Sequence, residues 1–205
     1  MLYPRHYIAW DLETSGLDPA SAKILEIGAV RFEDGKVVEQ KSWLLNHHIP
    51  IPEVITKITT ITKAQLDAEG TDPGEAVNEF LSWFDRYGWI NLTHNGFRFD
   101  IPFLVEAVSH DGLHNIGQVM EIKEKLYRNG VDTAALYKGK VLEIEREWNE
   151  NFAQYAARVL ETKAFGVKYN IAHCCKQLDI DATQVKMHRA LGDTMLTNEI
   201  YKKLV

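Results

Sequence analysis

The chain of 205 residues reads as an α/β domain. Two observations carry that reading. The first 44 residues hold three runs with strand-like alternation, and the last two are joined by Asp34-Gly35, a strong hairpin signal. Beyond residue 72, short strand-like runs alternate with stretches whose apolar residues recur three and four apart, as on one face of a helix. Composition agrees, since 45% hydrophobic and 25% charged residues suit one domain with a sizeable core.

Taken in order, Tyr7-Ile8-Ala9-Trp10 has the β-branched and aromatic bias of a strand, and Gly16 with Asp18-Pro19 ends it in a turn. Residues 24–32 and 37–44 form the hairpin. Residues 46–62 read as an irregular loop followed by a short polar stretch. Asp72-Pro73 opens a helix that buries Ala76, Val77, Phe80, Leu81 and Phe84, and Gly88 closes it. Residues 89–93 are a further strand, and Pro102 marks the first turn of a second helix. A helix containing Val119, Ile122, Leu126 and Tyr127 follows, then a short strand at 131–133 that ends before a break at Gly139. Trp148, Phe152, Tyr155, Val159 and Leu160 predict a helix over 143–163, with its aromatic stripe in the core rather than free for base stacking. Helices at about 168–179 and from Ala190 onward complete the chain.

Several classes are excluded or weakened. The apolar runs are too short to cross a bilayer, and residues 1–6 lack a signal peptide's apolar core, so a soluble, cytoplasmic protein without a membrane partner is expected. The only two cysteines, Cys174 and Cys175, are neighbours and lack zinc-finger spacing; they read as helix packing in a reducing compartment. A formal charge of −6 argues against nucleic-acid binding by bulk electrostatics alone. Acid gathers in residues 1–110, with sixteen acidic against nine basic residues, while 111–205 holds thirteen against fourteen. A site for divalent cations would be acidic in this way until loaded.

The chemistry-bearing residues lie in three places. Asp11 and Glu13 alternate along the first strand and project from one face. Asp100 stands at the entrance of the second helix, either as an N-cap or as a metal-site carboxylate. Asp193 shares the apolar face of the last helix with Leu196, Ile200 and Leu204, where a carboxylate is costly unless paired or bound to metal. His188 would be about 140° away on a continuous helix, so it must lie in the preceding loop to meet Asp193. Four carboxylates without a thiolate or histidine cluster select Mg²⁺ or Mn²⁺ over zinc. Two such ions about 4 Å apart clamp the attacking and leaving oxygens of a phosphoryl displacement, and a nearby histidine can take the proton of water.

The order Asp11-x-Glu13, then His94-Asn95-Gly96 with Asp100, then His188-x-Ala190-x-x-Asp193 resembles the three motifs of the DEDDh (DnaQ-like) 3′→5′ exonucleases. The spelling Asn95-Gly96-x-Arg98-Phe99-Asp100-x-Pro102 is most similar to the TREX-like branch. The resemblance covers residues 6–203 and implies an RNase H-like fold, with a central mixed sheet of about five strands and helices on both faces. It implies that Asp11, Glu13 and Asp193 bind the catalytic Mg²⁺ or Mn²⁺, that Asp11 and Asp100 bind a second ion, and that His188 is the general base. Glu13 and the backbone amides from Thr14 onward would hold the terminal 3′-OH, Leu17 would wedge against the last base, and Asn95 would contact substrate. The expected partner is a single-stranded DNA or RNA 3′ end, hydrolysed to nucleoside 5′-monophosphates. The alternative is a catalytically inactive or polymerase-associated binding module, and a homodimer is left open. Residues 1–205 form one exonuclease domain in this reading, with a helical insertion around 139–163. The chain departs from the family at Thr59-Thr60-Ile61-Thr62, where the second position is often glycine.

Overall fold

The structure, a computed structural model, describes residues 4–110 and 112–205. Residues 1–3, part of the amino-terminal reading above, and Asp111 lie outside the described residues. A five-stranded sheet runs in the order β3-β2-β1-β4-β5, built from β1 (His6–Thr14), β2 (Ile24–Glu33), β3 (Lys36–Leu44), β4 (Asn91–Thr93) and β5 (Gly130–Asp132). The first three strands are antiparallel, through the expected Asp34-Gly35 turn, and β1, β4 and β5 are parallel. Around it lie α1 (Glu53–Thr59), α2 (Lys63–Glu69), α3 (Pro73–Tyr87), α4 (Asp100–Ser109), α5 (Ile116–Arg128), α6 (Thr133–Val141), α7 (Phe152–Glu161), α8 (Ile171–Gln177) and α9 (Ala190–Leu204). The arrangement is the mixed sheet with flanking helices that the resemblance implies.

Side-chain parity divides the core. Ile8, Trp10 and Leu12 of β1, with Ile27 and Ala29 of β2, pack with Phe80 and Phe84 of α3 and with Ile101 and Leu104 of α4. Tyr7, Ala9, Val30 and Phe32 point the other way, toward Leu136 of α6 and Met195 and Tyr201 of α9. The capping of α3 follows the sequence reading: Asp72 accepts the amides of Gly74 and Glu75, Pro73 opens the helix, and Gly88 ends it at φ 97°.

Four local expectations need correction. Residues 53–59 and 63–69 are short helices rather than loop and polar stretch. Gly139 does not break the chain but lies inside α6, where a Cβ would stand 1.9 Å from the Tyr155 hydroxyl. Its missing side chain lets α7 approach closely, which outweighs its poor helix propensity. The helix expected over 143–163 begins only at Phe152, capped by Asn151, because residues 143–151 turn back through a separate loop. Trp148 therefore leaves the stripe and is 97% exposed, whereas Tyr155, Val159 and Leu160 are buried as expected. Cys174 and Cys175 are buried, free thiols on α8. Among the described residues, no helix is long and apolar enough to cross a membrane.

Candidate active site

The parity of β1 turns Asp11 and Glu13 toward α9, because Ile8, Trp10 and Leu12 take the opposite face. Gly28 pairs with Asp11 across β1 and β2. A Cβ at Gly28 would lie 2.4 Å from the backbone of Ala190 and Leu191, so only glycine lets the first turn of α9 rest on the sheet at this point. Asp193 is thereby carried over β1. Ligand oxygens of Asp11, Glu13 and Asp193 lie within 4.8 Å of one another, as a shared cation requires.

Asp100 is the first residue of α4 and is 2% exposed. The N-cap position belongs to Phe99, and the Asp100 carboxylate instead accepts the Leu12 amide at 3.0 Å. Asp100 thus ties α4 to β1 beside the other carboxylates without joining their group of three. Its charge is the nearest in effect on Asp11: burial, then Asp100, then Asp193 raise the Asp11 carboxyl well above the usual carboxylate range. Burial and the charges of Asp193, Glu26 and Asp100 push Glu13 up to about 8. Burial raises Asp100 to about 7 against the opposing Leu12 hydrogen bond. Asp193 rises to about 6, again through burial, with His188 opposing the shift.

His188 lies in the loop before α9, as the helical geometry requires. It is exposed, its backbone is left-handed at φ 57°, and its amide donates to the Asp193 carboxylate at 3.2 Å. A non-glycine residue in this region is uncommon, and the hydrogen bond offsets part of its strain. The loop is also fixed by its neighbour. Arg189 donates two hydrogen bonds to Glu26, at 2.9 and 2.8 Å, and Glu26 further accepts from the Ala190 amide and the Ser42 hydroxyl. Burial alone would raise Glu26, but the Arg189 and Ser42 hydrogen bonds and the Arg189 charge bring it below its ordinary value. Glu26 stands directly opposite Glu13 in the β1–β2 register, so Arg189 also relieves a like-charge pair across the strands.

The sequence reading gave no role to Glu26, Arg189 or Asp132, and named His94 only as part of its motif. A lone carboxylate inside the apolar run 24–30, and an arginine beside His188, were the available signals for the first two. Asp132 is fully buried; its carboxylate accepts the amides of Asn95 and Phe97 and caps α6 through Ala135. It thereby shapes the turn that holds Asn95 at φ 61°. The Asn95 side-chain oxygen is buried and has no partner within the protein, consistent with a ligand-facing role. His94 places Nδ1 at 2.7 Å from the Thr133 hydroxyl and Nε2 at 2.6 Å from the Tyr169 carbonyl, and burial lowers it to about 4. The Thr14 hydroxyl is taken by the Gly16 carbonyl at 2.6 Å, which leaves its backbone as the group available to substrate. Leu17 is 85% exposed.

A groove of about 590 Å³ borders the carboxylates, lined by His94, Asn95, Lys168, Tyr169, His188 and Asp193 among others. Three hard carboxylate oxygens at this spacing, their pKa values raised first by burial and then by neighbouring charges, fit a hard divalent cation such as Mg²⁺ or Mn²⁺ better than a soft metal.

Comparison with known proteins agrees with this geometry. DNA polymerase III PolC-type of Bacillus subtilis is 26% identical over 205 residues, covering 100% of this chain and 12% of that protein. The PolC-type polymerase of Mycoplasma pneumoniae is 25% identical over 197 residues, 95% of this chain and 11% of that one. The chain thus spans only about a tenth of these relatives. Exonuclease I of E. coli in complex with a dA16 oligonucleotide superposes with a TM-score of 0.72 at 17% identity, over 98% of this chain and 41% of that one. A zinc-bound complex of the same enzyme with single-stranded DNA gives 0.66 at 16% identity, over 99% and 40% of the two chains. The model of the exonuclease family RNase_T matches residues 8–201, nearly the full length described here, and the chain belongs to that family.

Proposed function

We propose that this chain is a metal-dependent 3′→5′ exonuclease domain that removes nucleoside 5′-monophosphates from single-stranded ends. The convergence of Asp11, Glu13 and Asp193 within 4.8 Å, on elements brought together from opposite ends of the chain, carries the proposal. DNA is the favoured substrate, because exonuclease I is bound to DNA oligonucleotides in the structures this chain resembles and the sequence relatives are DNA polymerases. Asp11, Glu13 and Asp193 hold one Mg²⁺ or Mn²⁺, and Asp11 with Asp100 a second. When bound, such ions supply charge stabilisation to the attacking and leaving oxygens of the in-line displacement.

The protein's own groups do the rest. Glu13 and the backbone amides from Thr14 onward hold the terminal 3′-OH, Leu17 packs against the last base, and Asn95 presents its unpartnered oxygen to the nucleotide. The His188 imidazole accepts a proton from water as the water oxygen bonds to phosphorus and the bond to the 3′ oxygen of the penultimate nucleotide breaks. The Glu26–Arg189 pair, with the Ala190 amide on Glu26, fixes the backbone just after that histidine while leaving its ring exposed. Two free, buried cysteines suit a cytoplasmic setting.

The test is shortening of a 5′-labelled oligonucleotide in Mg²⁺, with DNA and RNA, single-stranded and duplex, compared side by side. His188→Ala is expected to lower the rate by about 10²- to 10⁴-fold with the fold intact, and undiminished activity in a chelator overturns the reading. The match to about a tenth of PolC supports one second reading, a binding module that serves a polymerase without cutting. Its distinguishing result is strand binding with no metal uptake and no cleavage.

A further inference from the structure

The loop between α7 and α8 has firm bases and an exposed tip. Lys138 is buried and donates to the Leu160 and Thr162 carbonyls at 2.9 and 2.7 Å, with its ammonium 5.1 Å from the centre of the Tyr169 ring. His94 holds the far base through the Tyr169 carbonyl. Between these anchors, Phe165 and Gly166 form the corner of a turn closed by the Val167 amide on the Ala164 carbonyl, with Gly166 at φ 80°. Phe165 occupies that corner fully exposed, at 108%.

A single exposed apolar side chain is ordinary. Phe165 differs in its setting. It is held out on a pinned turn, Lys163 and Lys168 flank it and are both exposed, and Val167 and Lys168 line the same groove as His188 and Asp193. Aromatic faces interleaved with lysines are the chemistry by which proteins hold single strands without reading sequence. The loop also lies in the half of the chain where basic residues balance acidic ones, in contrast to the acidic first half.

We propose that Phe165, Lys163 and Lys168 form a second contact for the strand: Phe165 stacks on a base upstream of the 3′ end and the lysines meet the adjoining phosphates. The occupant is the single-stranded substrate itself, so the proposal rests on the exonuclease reading of the neighbouring site. A dinucleotide bound at the carboxylates has no upstream base to stack, whereas a longer strand does. The loop therefore acts on length: it favours strands over the last dinucleotide.

Two measurements on the full chain test it. A fluorescein-labelled 12-mer with a 3′-terminal phosphorothioate linkage is titrated with wild type, Phe165→Ala, Phe165→Tyr and Lys168→Gln in Mg²⁺. In parallel, kcat/KM is compared for an unmodified 12-mer and a dinucleotide. Phe165→Ala is expected to weaken 12-mer binding at least about fivefold and to lower the 12-mer to dinucleotide ratio by a similar factor, with Phe165→Tyr close to wild type. Lys168→Gln is expected to reduce the slope of log affinity against log salt by about 0.7. Phe165 is fully exposed, and unchanged melting temperatures show that the variants fold. Binding and a length ratio that Phe165→Ala leaves within twofold overturn the proposal and leave the turn to a protein partner. Phe165-dependent binding without any cleavage upholds it while refuting the exonuclease reading.

Discussion

Replacing Glu13 with glutamine is expected to stabilise the metal-free protein. Burial and the charges of Asp193, Glu26 and Asp100 raise the Glu13 carboxyl from 4.5 to about 8. The native state therefore holds more protons than the unfolded chain between these values, so metal-free stability falls as pH rises through that window and is unpenalised below it. At pH 7 the penalty is about 3 kcal/mol for a shift of this size. Partial solvent access and sharing of the strain with Asp193 leave about 2 kcal/mol, which in a domain of this length moves the melting temperature by roughly 4–8 °C. Calorimetric melts in EDTA from pH 5 to 9 should show Glu13→Gln above wild type, with a gap that widens with pH. In Mg²⁺ the order should narrow or invert, because on the proposed reading wild type gains more from an ion held in part by Glu13. A variant that melts at or below wild type in EDTA at pH 7, or a gap that is flat with pH, refutes the argument that burial and the neighbouring carboxylates raise Glu13.

Three further outcomes follow from the packing. Gly28→Ala forces the first turn of α9 off the sheet, since its Cβ would meet the Ala190 and Leu191 backbone at 2.4 Å; a loss of about 2–3 kcal/mol in urea and weakened Mg²⁺ binding by calorimetry are expected, and unchanged metal affinity would show that α9 does not depend on this approach. Thr60 ends α1 with φ at 63°, a conformation unfavourable for a β-branched residue; Thr60→Gly should gain about 1 kcal/mol in urea unfolding, and a loss would mean that the threonine side chain makes up for its backbone. Burial lowers His94 from 6.5 to about 4, so the unfolded chain holds the extra proton between those values and stability is lost as pH falls through them, by about 3 kcal/mol in full. His94→Asn should remove that component, seen as a smaller drop in urea midpoint between pH 7 and 4.5 than in wild type, and equal drops would assign the loss to other groups.

Much of this fold was legible where local signals and tertiary demands coincide. Asp72, Pro73 and Gly88 bound α3 as their capping chemistry dictates, and the alternation of β1 put Asp11 and Glu13 on one face before any partner was known. Asp193 was readable because a carboxylate on a buried stripe needs a reason. What escaped was set by contacts distant in sequence. Gly139 reads locally as a breaker, yet its place in α6 is decided by the Tyr155 hydroxyl sixteen residues on. Asp132 reads as the middle of a short strand, and nothing nearby announces that its carboxylate shapes the Asn95 turn. Trp148 fits the helical period of the stripe after it, but period alone cannot tell that α7 starts four residues later.

The same contacts explain why this site suits a cation. Four carboxylates, Asp11, Glu13, Glu26 and Asp193, gather at the junction of β1, β2 and α9, and a fifth, Asp100, stands behind Leu12. Arg189 lies within reach of this cluster, but its Nε–Nη2 edge is committed to Glu26 in a bidentate pair. That choice has two consequences at once. It neutralises the carboxylate that would otherwise face Glu13 across the strands, and it pins the residue next to His188 to the sheet. Asp11, Glu13 and Asp193 are left without an equivalent bidentate partner, and burial first, then neighbouring carboxylates, raises their pKa values. A second arginine there would pair the three carboxylates, stabilise the metal-free protein and occupy the space between them. The buried, crowded carboxylates at the end of β1 suit a cation, and the Arg189–Glu26 pair leaves Asp11, Glu13 and Asp193 as the three side chains that could share one.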